Sequence, residues 1–192
     1  MKNLSFSQVD AGAWIDKDAI LDDLKRYEEA LRECDKTIRS DPGYVDAWIN
    51  KGILLYLLGR YEEALAISDT AIHLDPDDGM AWNNRGSILQ CLGRYEDALS
   101  AFGEALRCNP EYSDAWNNRG SVLSCLERYE EALLSCDQAI LFDPEYSDAW
   151  NNRGNVLNCL GRYEEALLAF DKAIQFEEKD TGTTAGRIPP GR

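Results

Sequence analysis

The residues best placed for recognition chemistry are asparagines. Asn50, Asn84, Asn118 and Asn152 recur every 34 residues, and three of them follow a second asparagine, Asn83, Asn117 and Asn151. A carboxamide offers both a donor and an acceptor, the pair that a peptide group needs. Asparagine is also a poor helix former, because its side chain competes for local backbone bonds. Repeating AWNNRG at 81–86, 115–120 and 149–154, with AWINKG at 47–52, therefore needs an explanation.

Catalytic chemistry finds no comparable set. Glu62-Glu63, Glu130-Glu131 and Glu164-Glu165 recur as acidic pairs, but at the first turn of a helix such pairs complement the helix dipole. Cys91, Cys125 and Cys159 form a column. Helices pack ~8–10 Å apart, whereas a disulfide needs alpha carbons within ~7 Å. The only histidine, His73, lies outside that column, so no metal site and no cofactor is expected. Phosphate loops, nucleophile–base pairs and zinc spacings are absent from the sequence.

The elements that carry these residues come from one repeated unit. Trp14, Trp48, Trp82, Trp116 and Trp150 are each 34 residues apart, as are Tyr27, Tyr61, Tyr95, Tyr129 and Tyr163. Pro42, Pro76, Pro110 and Pro144 keep the period, and Glu178 takes the next place. Units at 11–44, 45–78, 79–112, 113–146 and 147–180 follow, between a head at 1–10 and a flexible tail at 181–192. Each unit reads as two helices. The first is exemplified by Ser113 to Leu126, with Ser113 as its cap and Trp116, Gly120 and Leu123 on one face. The second runs from Tyr129 to Phe142 and stops before Pro144. Gly93 and Gly161 suit the left-handed turn between the two; Lys25 and Glu127 occupy that column elsewhere.

These residues resemble the tetratricopeptide repeat family: Trp, then Gly four later, Ala in the second helix and Pro at its end. The resemblance implies an all-α, right-handed superhelical solenoid of five helix-turn-helix units. Its first helices would line a concave groove. Unit one departs from the pattern with Asp18 in the Gly column, so its helices are expected to pack less closely. The resemblance also implies a protein-interaction module rather than an enzyme. Peptide-binding members have an asparagine ladder of this kind that holds the ligand's main chain.

On the helical wheel both asparagines of AWNNRG fall opposite the core. The expected groove is thus Asn50, Asn84, Asn118 and Asn152, flanked by Asn83, Asn117, Asn151, Ser87, Ser121 and Asn155, with Ile49, Ile53 and Tyr56 at an apolar end. Asp46, Asp114 and Asp148 edge it with negative charge. Members that clamp carboxylate tails use basic residues where this chain has Ile15, Asp46, Met80, Asn84 and Asn118, which argues against such ligands. An apolar or basic peptide, extended or helical, fits better.

Lys17, Lys51, Arg85, Arg119 and Arg153 lie on the core side, where Asp69, Asp137 or Asp171 could neutralise them. The net charge of −15 excludes nucleic acid and anionic membrane as natural partners. No apolar run suggests a signal peptide or a membrane span, so a cytoplasmic protein is expected. A second expectation is self-association into a homo-oligomer. It would use Leu134, Leu141 and Leu168 on the outer face, the uncovered last unit with Phe170, Ile174 and Phe176, or the basic tail 187–192 in a neighbour's groove.

Overall fold

Periodic Trp, Gly, Ala and Pro columns produce the expected helices over most of the chain. The structure is a computed structural model that describes residues 9–185, with side chains from 25 to 179. The described residues are all-α and fall into two units, divided after Pro76. The first contains α1 (Val9–Ser40), α2 (Val45–Leu57) and α3 (Tyr61–Leu74). The second contains α4 (Gly79–Cys91), α5 (Tyr95–Cys108), α6 (Ser113–Cys125), α7 (Tyr129–Phe142), α8 (Ser147–Cys159) and α9 (Tyr163–Ala185).

The turns inside each helix pair need a left-handed residue. Gly59, Gly93 and Gly161 supply it at φ of 71°, 71° and 75°, and Glu127 is driven to 59° in the same column. A side chain in that region costs about 1–2 kcal/mol, which Glu127 sustains because its helices still cross tightly at Gly120. In the first repeat both features are missing: Lys25 stands at the turn and Asp18 at the crossing. The helix pair expected over 11–44 is accordingly one uninterrupted helix, α1. Without a close crossing to offset a broken backbone ladder, the straight helix keeps more hydrogen bonds.

Prolines set the other boundary. α3, α5 and α7 each stop at an extended residue, Asp75, Asn109 or Asp143, directly before a proline. Glu178 replaces that proline in the last repeat, and α9 runs on to Ala185. Caps differ from the sequence reading in one respect. Ser113 is the first helical residue of α6, behind an N-cap Tyr112 that makes no side-chain cap bond. Asp78 does cap α4, accepting from the Met80 and Ala81 amides at 2.7 and 2.9 Å.

Packing follows from the small columns. A Cβ at Gly86 or Gly154 would lie 2.5 Å from the ring of Phe102 or Phe170, and one at Gly120 2.9 Å from Cys136 Sγ. Trp48, Trp116 and Trp150 donate their indole N–H to the carbonyls of Pro42, Pro110 and Pro144 at 2.9–3.0 Å, so each tryptophan ties its helix to the preceding turn. In the second unit Leu123, Leu133, Val156 and Leu157 pack with Ala132, Ala166 and Ala169. There α4 packs on α6 and α6 on α8, whereas the backbones of α5, α7 and α9 stay further apart among the described residues. First helices thus form the closer, inner rank of this unit and second helices the outer one.

Candidate functional site

The asparagine doublets sit on the inner rank, and the two members of each have different surroundings. Asn83 and Asn117 are buried, at 7% and 5% exposure. Asn118 Nδ2 donates to Asn83 Oδ1 at 3.1 Å, and Asn152 Nδ2 to Asn117 Oδ1 at 2.8 Å. The second asparagine of one repeat therefore bonds the first asparagine of the repeat before it. This corrects the wheel reading, in which both pointed away from the core. A single helix cannot reveal a face that becomes buried only when the next repeat stacks on it.

Tyrosines complete the joint. Tyr146 accepts from Asn117 Nδ2 at 3.5 Å and donates its hydroxyl to Asp114. Burial, then the Asp114 charge and that hydrogen bond, push the Tyr146 hydroxyl well above its ordinary range. Tyr112 accepts from Asn83 in the same manner, and its pKa is also raised, chiefly by burial. The buried amides Asn83 and Asn117 are consequently satisfied on both ends. Asn84 breaks the series: its Nδ2 is buried with no hydrogen-bond partner.

The other expected groove residues divide by exposure. Asn50, Asn151 and Asn155 are exposed, Ile53 and Tyr56 are half-buried, and Ile49 is buried at the core side of α2. Tyr56 packs its ring 5.7 Å from that of Tyr61. Ser87 bonds back to the Asn83 carbonyl at 3.2 Å, and Ser121 accepts from Gln90 Nε2 at 3.2 Å across neighbouring repeats. Asp46, Asp114 and Asp148 are exposed along the edge. Asn118 and Asn152 each keep a carboxamide oxygen with no partner among the described residues.

The basic column is structural. Arg153 pairs with Asp137 at 2.7 Å, as the sequence suggests, and Lys51 pairs with Asp35 at 2.7 Å, a partner sequence reading had not singled out. Its signal was the same 16-residue offset. Arg119 finds Gly103 at that offset and bonds Ser135 Oγ at 3.0 Å instead. Arg85, Arg119 and Arg153 also lie over Trp82, Trp116 and Trp150 at 5.5–6.0 Å. Lys17 lies outside the residues whose side chains are described.

Cys91, Cys125 and Cys159 are exposed free thiols, while Cys136 is buried and its thiol is pushed up to about 12. Among the described residues no cluster could hold a metal ion, and no helix is long and apolar enough to cross a membrane. Leu134, Leu141 and Leu168 are exposed on the outer rank. The tail at 187–192 lies outside the described residues.

Family models for the tetratricopeptide repeat match residues 80–112, 113–146 and 147–180, and a second such model matches 23–86. The chain belongs to the tetratricopeptide repeat family. The matches begin at 23, inside α1, in keeping with the missing first helix pair. No curated protein matches the chain in sequence. Solved structures similar to it include TTC0263, a thermophilic tetratricopeptide repeat protein of Thermus thermophilus, at TM-score 0.72, 24% identity and coverage of 87% of this chain and 91% of that one. MamA 41-end from Desulfovibrio magneticus RS-1 gives 0.69, 23%, 88% and 97%. YrrB, a tetratricopeptide repeat protein with an unusual peptide-binding site, gives 0.62, 25%, 82% and 81%. A tetratricopeptide array is a protein-interaction module, and the family is generally non-catalytic.

Proposed function

We propose that this chain is a non-catalytic adaptor that takes a peptide segment of a partner protein along the inner rank α4, α6 and α8. The carrying observation is the division of labour within Asn118 and Asn152. Each uses an amide hydrogen to join repeats and keeps a carboxamide oxygen for a ligand N–H. Because the amide is anchored, the oxygen is pre-oriented, which lowers the entropy lost on binding. Ser121, Asn151 and Asn155 extend the polar surface. The exposed Asp114 and Asp148 favour a basic ligand over one ending in a carboxylate. Asn50, Ile53 and Tyr56 on α2 form a separate stretch suited to apolar side chains.

The test separates binding from folding. Peptides selected from a random library on the native protein are titrated into Asn118→Ala and into Asn83→Ala. Both variants break the Asn118–Asn83 bond, and Asn83→Ala also takes a donor from the Tyr112 hydroxyl, at a cost of about 1–3 kcal/mol in stability. Only the first removes the free oxygen. Expected is a loss of affinity at least about fivefold greater in Asn118→Ala. Equal losses in both would refute the role of the oxygen.

A second reading rests on the exposed Leu134, Leu141 and Leu168: the outer rank supports self-association. Light scattering across a concentration series tests it, and a constant monomer mass removes it.

A further inference from the structure

The last repeat carries an opening where the two repeats before it carry a tyrosine. A cavity of about 450 Å³ lies between α8 and α9, walled by Phe170, Ala173 and Ile174 and edged by Asp148 and Asn151. One repeat earlier the counterparts of those two polar groups are Asp114 and Asn117, and both hold the Tyr146 hydroxyl. Two repeats earlier Asn83 holds the hydroxyl of Tyr112. The next residue in that column is Asp180, inside the uninterrupted α9, so the chain supplies no phenol of its own there. Elsewhere on α9 an apolar side chain is uncovered as well: Leu133 is 7% exposed, whereas its counterpart Leu167 is 64% exposed.

We infer that this cavity is a socket for a tyrosine side chain, presented by another protein at the start of a helix. The filled joints also state what that helix carries. Six and seven residues after Tyr146 come Asn152, which donates to Asn117, and Arg153, which pairs with Asp137. At the open end the matching receivers are Asn151 and Asp171, and neither has a hydrogen-bond or ion-pair partner among the described residues. The ligand is therefore a helix opening on Tyr, with Asn and a basic residue six and seven places on. It joins a neutral phenol to an apolar wall, and its cation to an acid. A second copy of this chain offers Tyr44, Asn50 and Lys51 in that spacing, but Lys51 is already held by Asp35 at 2.7 Å. A different protein is the occupant. This site shares Asn151 with the edge of the inner-rank surface proposed above, but its Tyr146→Ala peptide and Ile174 readouts belong to the socket alone, so either reading can fail without the other.

The probe is a synthetic peptide copying residues 144–158, titrated into the full chain and followed by NMR. Expected are saturable shifts at the Asn151 side-chain amide and the Ile174 methyls. The Tyr146→Ala peptide, and the Asn151→Ala protein with the native peptide, should each bind about tenfold more weakly. Asn151 is exposed, so its removal leaves folding intact, which thermal unfolding checks. Absence of saturable shifts at both residues, or equal binding by the Tyr146→Ala peptide, overturns the socket. Self-association that Asn151→Ala abolishes overturns the choice of a different protein as occupant.

Discussion

The two units use the same 34-residue frame but hold their helices together differently. In the first unit the positions equivalent to Asn83 and Phe102 are Ile49 and Ser68, and Gly52 leaves ordinary space beside Ser68 Oγ at 3.4 Å. In the second unit Gly86 and Gly154 sit against aromatic rings with no room for a methyl group. Buried amides and tyrosine hydroxyls then bond one repeat to the next. One frame thus tolerates an apolar, looser joint or a polar, tighter one. The tighter joint has demanding positions, because a buried polar group left without its partner is costly.

The largest effect should come from glycine. Gly154→Ala places a methyl group 2.5 Å from the Phe170 ring and is expected to cost about 1–3 kcal/mol by overpacking. Gly52→Ala meets no such clash and should gain about 0.5–1 kcal/mol from the better helix former. Urea unfolding of the pair measures the contrast, and equal shifts in both would erase it.

Asparagine comes next. Asn117→Ala strands the Asn152 amide and leaves the Tyr146 hydroxyl with Asp114 as its remaining partner, for a loss of about 1–3 kcal/mol. Asn151→Ala removes the same residue type from an exposed place one repeat later and should stay within about 0.5 kcal/mol of the native chain. Thermal unfolding of the two variants compares a covered joint with an open one. Similar melting points would mean the amide network adds nothing.

The smallest contrast is a pH effect at Cys136, the counterpart of Ser68. Its folded thiol titrates at about 12 against an ordinary 9.0, mainly because of burial. A raised folded value means the unfolded chain loses its proton first. The contribution of the neutral thiol is complete below pH 9 and fades as pH rises from 9 towards 12, by up to about 1.4 kcal/mol per unit. Urea midpoints at pH 8 and 10.5 should therefore fall further for the native chain than for Cys136→Ala. Parallel falls would show that the thiol is not the group responsible.

Most of the fold was legible from columns of single residues, since Trp, Gly, Ala and Pro each act locally or across one helix pair. α7 runs over Tyr129–Phe142, the range its apolar positions and Pro144 dictate. The straight α1 was half-legible: Lys25 and Asp18 were visible as departures, but their joint outcome depends on comparing two packings. The site was less legible. A wheel drawn on one helix correctly removes Trp116 and Leu123 from the groove. It cannot say that Asn117 is buried by the next repeat while Asn118 reaches back to Asn83, because that depends on stacking at an offset of 35 residues. Ile49, placed in the groove by the same wheel, is buried at 4% exposure.

The central claim is that Asn118 and Asn152 are fixed by their amide hydrogens and offer their oxygens to a ligand. NMR of the side-chain carboxamides tests it, with and without a library-selected peptide. In the free protein one Nδ2 proton of each should exchange slowly, unlike those of exposed Asn50 and Asn151. On adding peptide the Cγ resonances of Asn118 and Asn152 should shift while the protected protons stay protected. Fast exchange in the free protein, or Cγ resonances indifferent to a bound peptide, would contradict the account.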